Sequence, residues 1–227
     1  MSGPAARSAG PGEPRGAPGE PLIFPIGQYV GAFARVGRPD ERSHHVCRGG
    51  QIVELTDESF ALWGLAHGPL DPIIASSTPW TRPELGQYAS RAGIAEPARL
   101  VADLAERGLL AETPREGPAA QAFAGRHRAV PTMLGLGNTA EDPELFTIGF
   151  FESDVLGVGE GLYELWAWSG ADGNLWQVCE SAARLAHAAD DPDPQTTDPG
   201  RVLADFLASA HALLSASAMY LDLAGDQ

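Results

Sequence analysis

Several stretches of the chain place apolar residues at helical spacing behind a recognisable capping signal. Thr81-Arg-Pro-Glu84 has the pattern of a capping box and predicts a helix over 82–92, and Pro97 predicts the next helix over 97–107. Asn174 opens a third predicted helix over 175–188, and Asp198-Pro199 opens the longest one. These signals predict a chain in which helices carry much of the core.

The hydrophobic pattern of the first half returns in the second half. When Trp63 is set over Trp166, residues 51–68 align with residues 154–170 and their apolar positions coincide. The coinciding pairs are Ile52/Val155, Val53/Leu156, Leu55/Val158, Phe60/Tyr163, Leu62/Leu165 and Leu65/Trp168. Such a repeat indicates that matching residues serve architecture before chemistry, because each copy must build its own core.

Each copy is predicted as a β-hairpin, a tryptophan-bearing helix, two further helices and a terminal apolar strand. The segments behind this prediction are the acidic turns 38–41 and 141–144, the β-like runs 43–48 and 146–151, and the terminal strands 109–112 and 219–223. Strands and helices that follow one another in this way predict an α+β fold.

The chain divides at two segments rich in Pro, Gly and Ala. Residues 1–22 are predicted to be a disordered tail, because nearly all of them lack the large apolar side chains whose burial offsets ordering entropy. Residues 113–128 lack periodicity and are predicted to link unit 1, at 23–112, to unit 2, at 129–224. A unit of about 90 residues is marginally stable alone, so we expect the two units to pack together.

The first unit resembles the winged-helix family. The resemblance rests on RGGQIVELTDESFALWGLAHG, where a hairpin enters a helix, and on ARLVADLAERGLLAE, where a final helix ends in Gly-Leu-Leu; it covers roughly residues 43–112. Within that family the unit looks like the PqqD-like peptide-recognition domains. The resemblance implies two tandem winged-helix-like units, each a β-hairpin plus three helices, and recognition of a peptide or partner protein in a groove beside the hairpin.

The net charge of −15 is concentrated in the second half of the chain. Residues 1–128 contain 13 Arg against 14 Asp and Glu, whereas residues 129–227 contain two Arg against 16 acidic residues. Binding of nucleic acid or anionic lipid depends on Lys and Arg, so neither is expected as a partner, and a basic protein fits the second unit better. Without a secretory signal or a run of about 18 apolar residues, the expected location is the cytoplasm.

Sequence features that suggest cofactor or metal chemistry have simpler structural interpretations. Gly157-Val-Gly159-Glu-Gly161 has the wrong spacing for a dinucleotide fingerprint and predicts a strand-to-helix turn. His44, His45 and Cys47 are metal-ligand types, but in a strand only the last two share a face. Because no nucleophile elbow or zinc-protease motif is present either, we predict no cofactor, no metal and no catalytic residue.

The preferred hypothesis is a non-catalytic binding protein in which an extended peptide adds a strand to the hairpin at 43–55. The alternatives are a tandem winged-helix regulator that binds DNA and an enzyme with an unrecognised site between the two units. The residues expected to contact a peptide or protein partner are His45, Cys47, Gln51, Val53, Trp80, Leu100, Val101 and Leu104. The sequence leaves the identity of the partner and the oligomeric state open.

Overall fold

The computed structural model describes residues 19–71, 74, 75 and 78–225, and its two halves have the same order of main elements. The first half contains β1 (Leu22–Pro25), β2 (Gln28–Arg35), β3 (Arg38–Arg48), β4 (Gln51–Leu55), α1 (Asp57–Leu65), α2 (Arg82–Arg91), α3 (Pro97–Glu106) and β5 (Leu110–Thr113). The second half contains α4 (Pro118–Arg126), β6 (His127–Pro131), β7 (Leu134–Gly137), β8 (Phe146–Phe150), β9 (Ser153–Val158), α5 (Glu160–Trp168), α6 (Leu175–Ala188), α7 (Pro194–Thr197), α8 (Pro199–Ser215) and β10 (Met219–Leu223). The predicted α+β class is confirmed.

All four predicted helices begin within a residue of the predicted position, but among them side-chain caps form only at Asn174 and Asp198, whereas Thr81 makes no capping hydrogen bond to the backbone. Asn174 accepts a hydrogen bond from the backbone N–H of Gln177 at 3.0 Å, and Asp198 accepts from Gly200 at 2.8 Å. These side chains satisfy donors that have no partner within the helix, so α6 and α8 begin where the sequence signals place them.

Each half has a three-stranded antiparallel sheet, β2-β3-β4 or β7-β8-β9, where a hairpin of two strands was predicted. The third strand comes from the apolar stretch that precedes each predicted hairpin. The turn between β2 and β3 lies at Val36-Gly37, where Gly37 has φ 79°, so the predicted acidic turn at 38–41 lies inside β3 and was wrong. The turn predicted at 141–144 does lie between strands, in the loop from β7 to β8.

The segment 113–128, predicted to be a linker, is instead part of the folded structure. Its residues from Pro118 to Arg126 form α4, and the side chains of Ala120, Phe123 and Ala124 are buried in the second core. Phe123 anchors this helix in the second core, which the Pro-, Gly- and Ala-rich composition of the segment did not indicate. Of the predicted tail, residues 1–18 lie outside the described residues, while Leu22 is already buried in β1.

Strand β1 is buried on both sides and belongs to the cores of both halves. Ile23 packs in the first core with Trp63 and Leu104, whereas Leu22 and Phe24 pack in the second core. Side chains alternate across a strand, so a four-residue strand can supply two cores only if each half covers one of its faces.

Backbone pairing also joins the halves through β1. Beyond β1, Ile26 forms a parallel bridge to Leu221 of β10, and Gly27 donates to the Leu221 carbonyl at 2.7 Å. The two-stranded sheets β1-β5 and β10-β6 are therefore linked across the boundary between the halves by this bridge.

His211 of α8 fixes β1 from the second half. Its Nε2 donates to the carbonyl of Ile23 at 2.9 Å, and its ring stacks on Phe24 with centroids 4.7 Å apart. A carbonyl only accepts, so Nε2 carries the proton. Burial lowers the pKa of His211 to about 3, which keeps the ring neutral in this contact.

The matching tryptophans occupy matching places. Trp63 and Trp166 are each the seventh residue of a nine-residue helix, and both are buried. Their polar atoms differ, since Trp166 Nε1 donates to the Ala218 carbonyl at 2.8 Å whereas Trp63 Nε1 is buried without a hydrogen-bond partner in the described structure.

The helices that lead into β5 and β10 end in the same way. Gly108 and Ser217 both have a positive φ, 68° and 57°, and the next residue in each case donates to a carbonyl five positions earlier at 2.8 Å. This is the Schellman arrangement, in which glycine is preferred at the left-handed position. In the second half Ser217 therefore occupies the left-handed position that Gly108 occupies in the first half.

We expect Phe24→Ala to destabilise both halves together. The substitution removes an aromatic ring buried in the second core from a strand that the first core also needs, so the free energy of unfolding should fall by about 3–5 kcal/mol. Urea denaturation gives the loss, and hydrogen exchange should show reduced amide protection in both halves. Phe151→Ala, at an exposed position, is the control and should cost little. Loss of protection confined to the second half would contradict the shared strand.

We expect the protein to lose stability as the pH falls from 6.5 towards 3, partly because of His211. The unfolded chain binds a proton at His211 in this range and the folded protein does not, so folding is opposed by up to about 1.4 kcal/mol per pH unit. Burial lowers the pKa of His67 and His127 as well, and both act in the same direction. Urea unfolding between pH 7.5 and 4.5 should show a shallower pH dependence for His211→Gln, and an unchanged dependence would contradict this assignment.

Candidate functional site

The sheet β2-β3-β4 turns one side to the core and leaves the other accessible. His44 and Val46 of β3 are buried, while the residues that alternate with them are only partly buried. The strand register places these alternating residues beside Ile52 and Glu54 of β4. We call this side the outer face, and its residues are Phe33, His45, Cys47, Ile52 and Glu54.

His45 is held in place on the outer face. Its Nε2 lies 3.0 Å from the Ser43 hydroxyl and 3.9 Å from a carboxylate oxygen of Glu54, and its ring stacks on Phe33 with centroids 4.5 Å apart. An aromatic ring, an imidazole and a carboxylate are therefore gathered on one exposed strand surface.

His44 on the opposite side joins three elements. Its Nε2 donates to Asp57 at 2.8 Å, its Nδ1 lies 3.2 Å from the Tyr29 hydroxyl, and its ring stacks on Phe60 with centroids 4.0 Å apart. The hydrogen bond from His44 lowers the pKa of Asp57, and Arg42 acts in the same direction. Both ring nitrogens are engaged, so His44 ties β2 and β3 to the start of α1.

Strand β4 is an edge strand. Among the described strands it pairs with β3 alone, through a two-residue Gly49-Gly50 turn whose φ values are 55° and 79°. Positive φ at both positions is the hairpin geometry that glycine permits without strain. In this hairpin Arg48 and Gln51 flank the turn as a bonded pair, so the N–H and C=O groups of Ile52 and Glu54 point away from β3.

The end of α3 lies against this free edge. The Arg107 guanidinium donates to the carbonyl of Glu54 at 2.5 Å and is 3.4 Å from Asp103. Arg48 lies beside Gly108, and its buried Nε has no hydrogen-bond partner in the described structure. The Arg107 guanidinium therefore stands next to the β4 edge, where one carbonyl already accepts a hydrogen bond from outside the sheet.

The second half anchors the turn that sets the position of β4. The backbone N–H of Gly49 donates to Asp222 of β10 at 2.7 Å, and the other carboxylate oxygen of Asp222 is 3.4 Å from Arg128. A Cβ at Gly49 would lie 3.0 Å from Leu223, so glycine lets the turn approach β10 closely. The Asp222 carboxylate of the second half thus fixes the position of the hairpin turn.

Only some of the residues predicted to contact a partner lie on an accessible surface. His45 and Cys47 lie on the outer face, and Gln51 is exposed beside the turn. Val53 is half-buried and packs against the first core, so its side chain points away from the outer face. Sequence reasoning missed Ile52. Counting alternate residues from the Gly49-Gly50 turn would have placed Ile52 on the same face as Cys47.

Trp80 is a core residue, which corrects its prediction as a partner contact. It is 1% exposed, donates from Nε1 to the Leu65 carbonyl at 3.2 Å, and packs edge-on against Tyr88. Its own carbonyl accepts from Ile23 at 2.9 Å, which ties this part of the loop to β1. The ring fills the space between α1 and α2 instead of facing solvent.

Leu100, Val101 and Leu104 are likewise buried, so their predicted role in lining a groove is corrected. They face α1 and pack in the first core with Leu62 and Trp63. The helical spacing that suggested a lining face is the spacing of a core face. The residue that contacts the β4 edge from this side is instead Arg107, immediately after the last turn of α3.

Comparison with known proteins found no matching protein-family model, no matching curated protein and no matching solved structure. Within the described residues, no helix is both long and apolar enough to span a membrane. The same part of the chain has no group of three or more His, Cys, Asp or Glu side chains arranged to hold a metal ion.

We expect the two cysteines to differ in reactivity towards an aromatic disulfide reagent. Cys47 is partly exposed on the outer face, whereas Cys179 is buried and its burial raises the pKa of the thiol to about 12. Reaction with the native protein should rapidly release one equivalent of aromatic thiolate from the reagent, and a second equivalent should be released only in denaturant. Cys47→Ser should abolish the rapid reaction and Cys179→Ser should preserve it; rapid labelling of Cys47→Ser would contradict the placement of both side chains.

Proposed function

We propose that this protein is a non-catalytic peptide- or protein-binding accessory protein, built from two winged-helix-like units and using the β4 edge of the first unit. The observation that carries the proposal is the free edge of β4 beside the end of α3. The outward N–H and C=O of Ile52 and the N–H of Glu54 offer the pairing that an added strand requires, while the Glu54 carbonyl accepts from Arg107.

The side chains around the edge support a peptide ligand. Ile52 is 55% exposed and lies next to Cys47, so it provides an apolar contact for alternate residues of an added strand. Arg107 already donates to the Glu54 carbonyl and can keep that bond or yield it to a peptide N–H. A strand that pairs with the Ile52 backbone therefore needs no change in the packing of the core.

The element order supports the family comparison behind the proposal. In both halves a three-stranded sheet is followed by three main helices and a closing strand, and in the second half the short helix α7 precedes α8. The resemblance of residues 43–112 to PqqD-like peptide-recognition domains indicates the same class of ligand. The second unit, whose β10 braces the hairpin turn, then acts as a scaffold for the binding edge.

DNA binding is disfavoured on electrostatic grounds. A recognition helix needs several basic residues that can meet phosphates or bases, whereas α2 has two, of which Arg82 contacts Glu112 of β5 and Arg91 lies over the Tyr88 ring. The corresponding helix of the second half, α6, carries Arg184 and belongs to the acidic half of the chain.

We expect Ile52→Pro to abolish partner binding while preserving the fold. Proline removes an N–H that points away from β3, so an added strand loses a ladder hydrogen bond while the hairpin keeps its own. Ile52→Ala is the matched control, since it shortens the side chain and keeps the N–H. Affinity capture from native cytoplasm with mass spectrometry should recover a partner with wild type and Ile52→Ala but not with Ile52→Pro. Equal recovery with Ile52→Pro, with unchanged circular dichroism, would overturn strand addition at β4.

A further inference from the structure

The β4 edge carries an exposed carboxylate at Glu54. The Glu54 side chain is 71% exposed, and its one ion partner among the described residues is the His45 imidazole, whose Nε2 lies 3.9 Å away. That nitrogen is also 3.0 Å from the Ser43 hydroxyl. Glu54 therefore keeps most of its surface in contact with solvent, where a cationic side chain can reach it.

Two arginines lie close to β4, and neither forms an ion pair with the Glu54 carboxylate. Arg107 donates to the backbone carbonyl of Glu54 at 2.5 Å and lies 3.4 Å from the Asp103 carboxylate. Arg48 lies on the inner side of β3, where its guanidinium is beside Gly108. The charge of Arg107 is therefore balanced by Asp103, and the Glu54 carboxylate stays available on the outer face.

Two residues before Glu54, the same edge presents an apolar side chain. Ile52 is 55% exposed and lies beside Cys47 on the outer face. Side chains two positions apart on a strand share a face and stand about 7 Å apart. An added strand has the same spacing, so two of its alternate residues come to lie next to Ile52 and Glu54.

Electrostatics favour a cation at the position next to Glu54. Opposite charges directly across two paired strands stabilise the pairing, whereas like charges destabilise it. The whole chain carries a net charge of −15, so it attracts a basic peptide and repels an acidic one before contact is made. The local carboxylate and the long-range field therefore select the same kind of ligand.

We propose that the strand added at β4 carries an aliphatic side chain beside Ile52 and, two residues away, a lysine or arginine beside Glu54. This specificity rests on the proposed strand addition and names the ligand as an extended basic peptide. In an antiparallel strand, the aliphatic residue exchanges both ladder hydrogen bonds with Ile52. The basic residue accepts from the Glu54 N–H, while the Glu54 carbonyl keeps its hydrogen bond from Arg107.

Selection of a phage-displayed library of random peptides on the immobilised full chain tests this specificity. Peptides enriched on wild type should carry an aliphatic residue and, two positions away, Lys or Arg. Glu54→Lys should instead enrich Asp or Glu at the second position, because the charge on the edge is reversed. Glu164→Lys makes the same charge change at an exposed site on α5 of the second half, so it is the matched control and should enrich the same peptides as wild type.

Binding of one enriched peptide then measures the charge pair. The peptide is synthesised with Lys and, separately, with Glu at the basic position, and fluorescence anisotropy gives the dissociation constant of each form. Wild type should bind the Lys form about three- to tenfold more tightly than the Glu form, and Glu54→Lys should reverse this preference. Circular dichroism checks that both proteins are folded.

The Ile52→Pro variant separates this specificity from strand addition itself. If Ile52→Pro binds the enriched peptides as tightly as Ile52→Ala does, or if wild type enriches no sequence, both the proposed function and the specificity are overturned. If Ile52→Pro loses these peptides but they lack a basic residue, strand addition stands and the specificity is wrong. The same conclusion follows if Glu54→Lys keeps the preference of wild type.

Discussion

Strand β1 has no face open to solvent, and this constraint organises the rest of the molecule. Its side chains alternate between the two cores, its backbone pairs with β5, and His211 holds the Ile23 carbonyl from the far side. Removing β1 from either half would expose apolar surface in both. The halves are therefore one cooperative body, because neither core is complete without the same four residues.

The arrangement around β1 also decides which surfaces remain available. Because the backbone continues from β1 into the bridge with β10, Asp222 and Leu223 reach the turn at Gly49 and hold β4 in place. The β4 edge then faces the end of α3 and not the second half. On the outer face of the first sheet, His45 and Cys47 stay partly exposed and Ile52 stays exposed, and the binding edge that we propose borders this face.

Local signals account for the elements that the sequence predicted well. Capping residues such as Asn174 and Asp198 act through hydrogen bonds within a few residues, so the starts of α6 and α8 could be read without tertiary information. The strand β2 was missed because the turn was assigned to the Pro39-Asp40 signal, although Gly37, two residues earlier, is the residue that adopts the positive φ of the turn. The helix α4 was missed because only its contact with the second core distinguishes it from a linker.

The sequence by itself determined the α+β class, the paired tryptophans and the order of the three main helices in each half, because each depends on spacing along one chain. Only the tertiary structure decided that Trp80, Leu100 and Leu104 lie in the core. The hydrophobic pattern of the sequence cannot distinguish a groove from a core, because burial depends on what packs against each side chain. The tertiary structure also decided that β1 is shared. Alternation in a short apolar strand shows two faces, and only the folded chain shows that a different half covers each one.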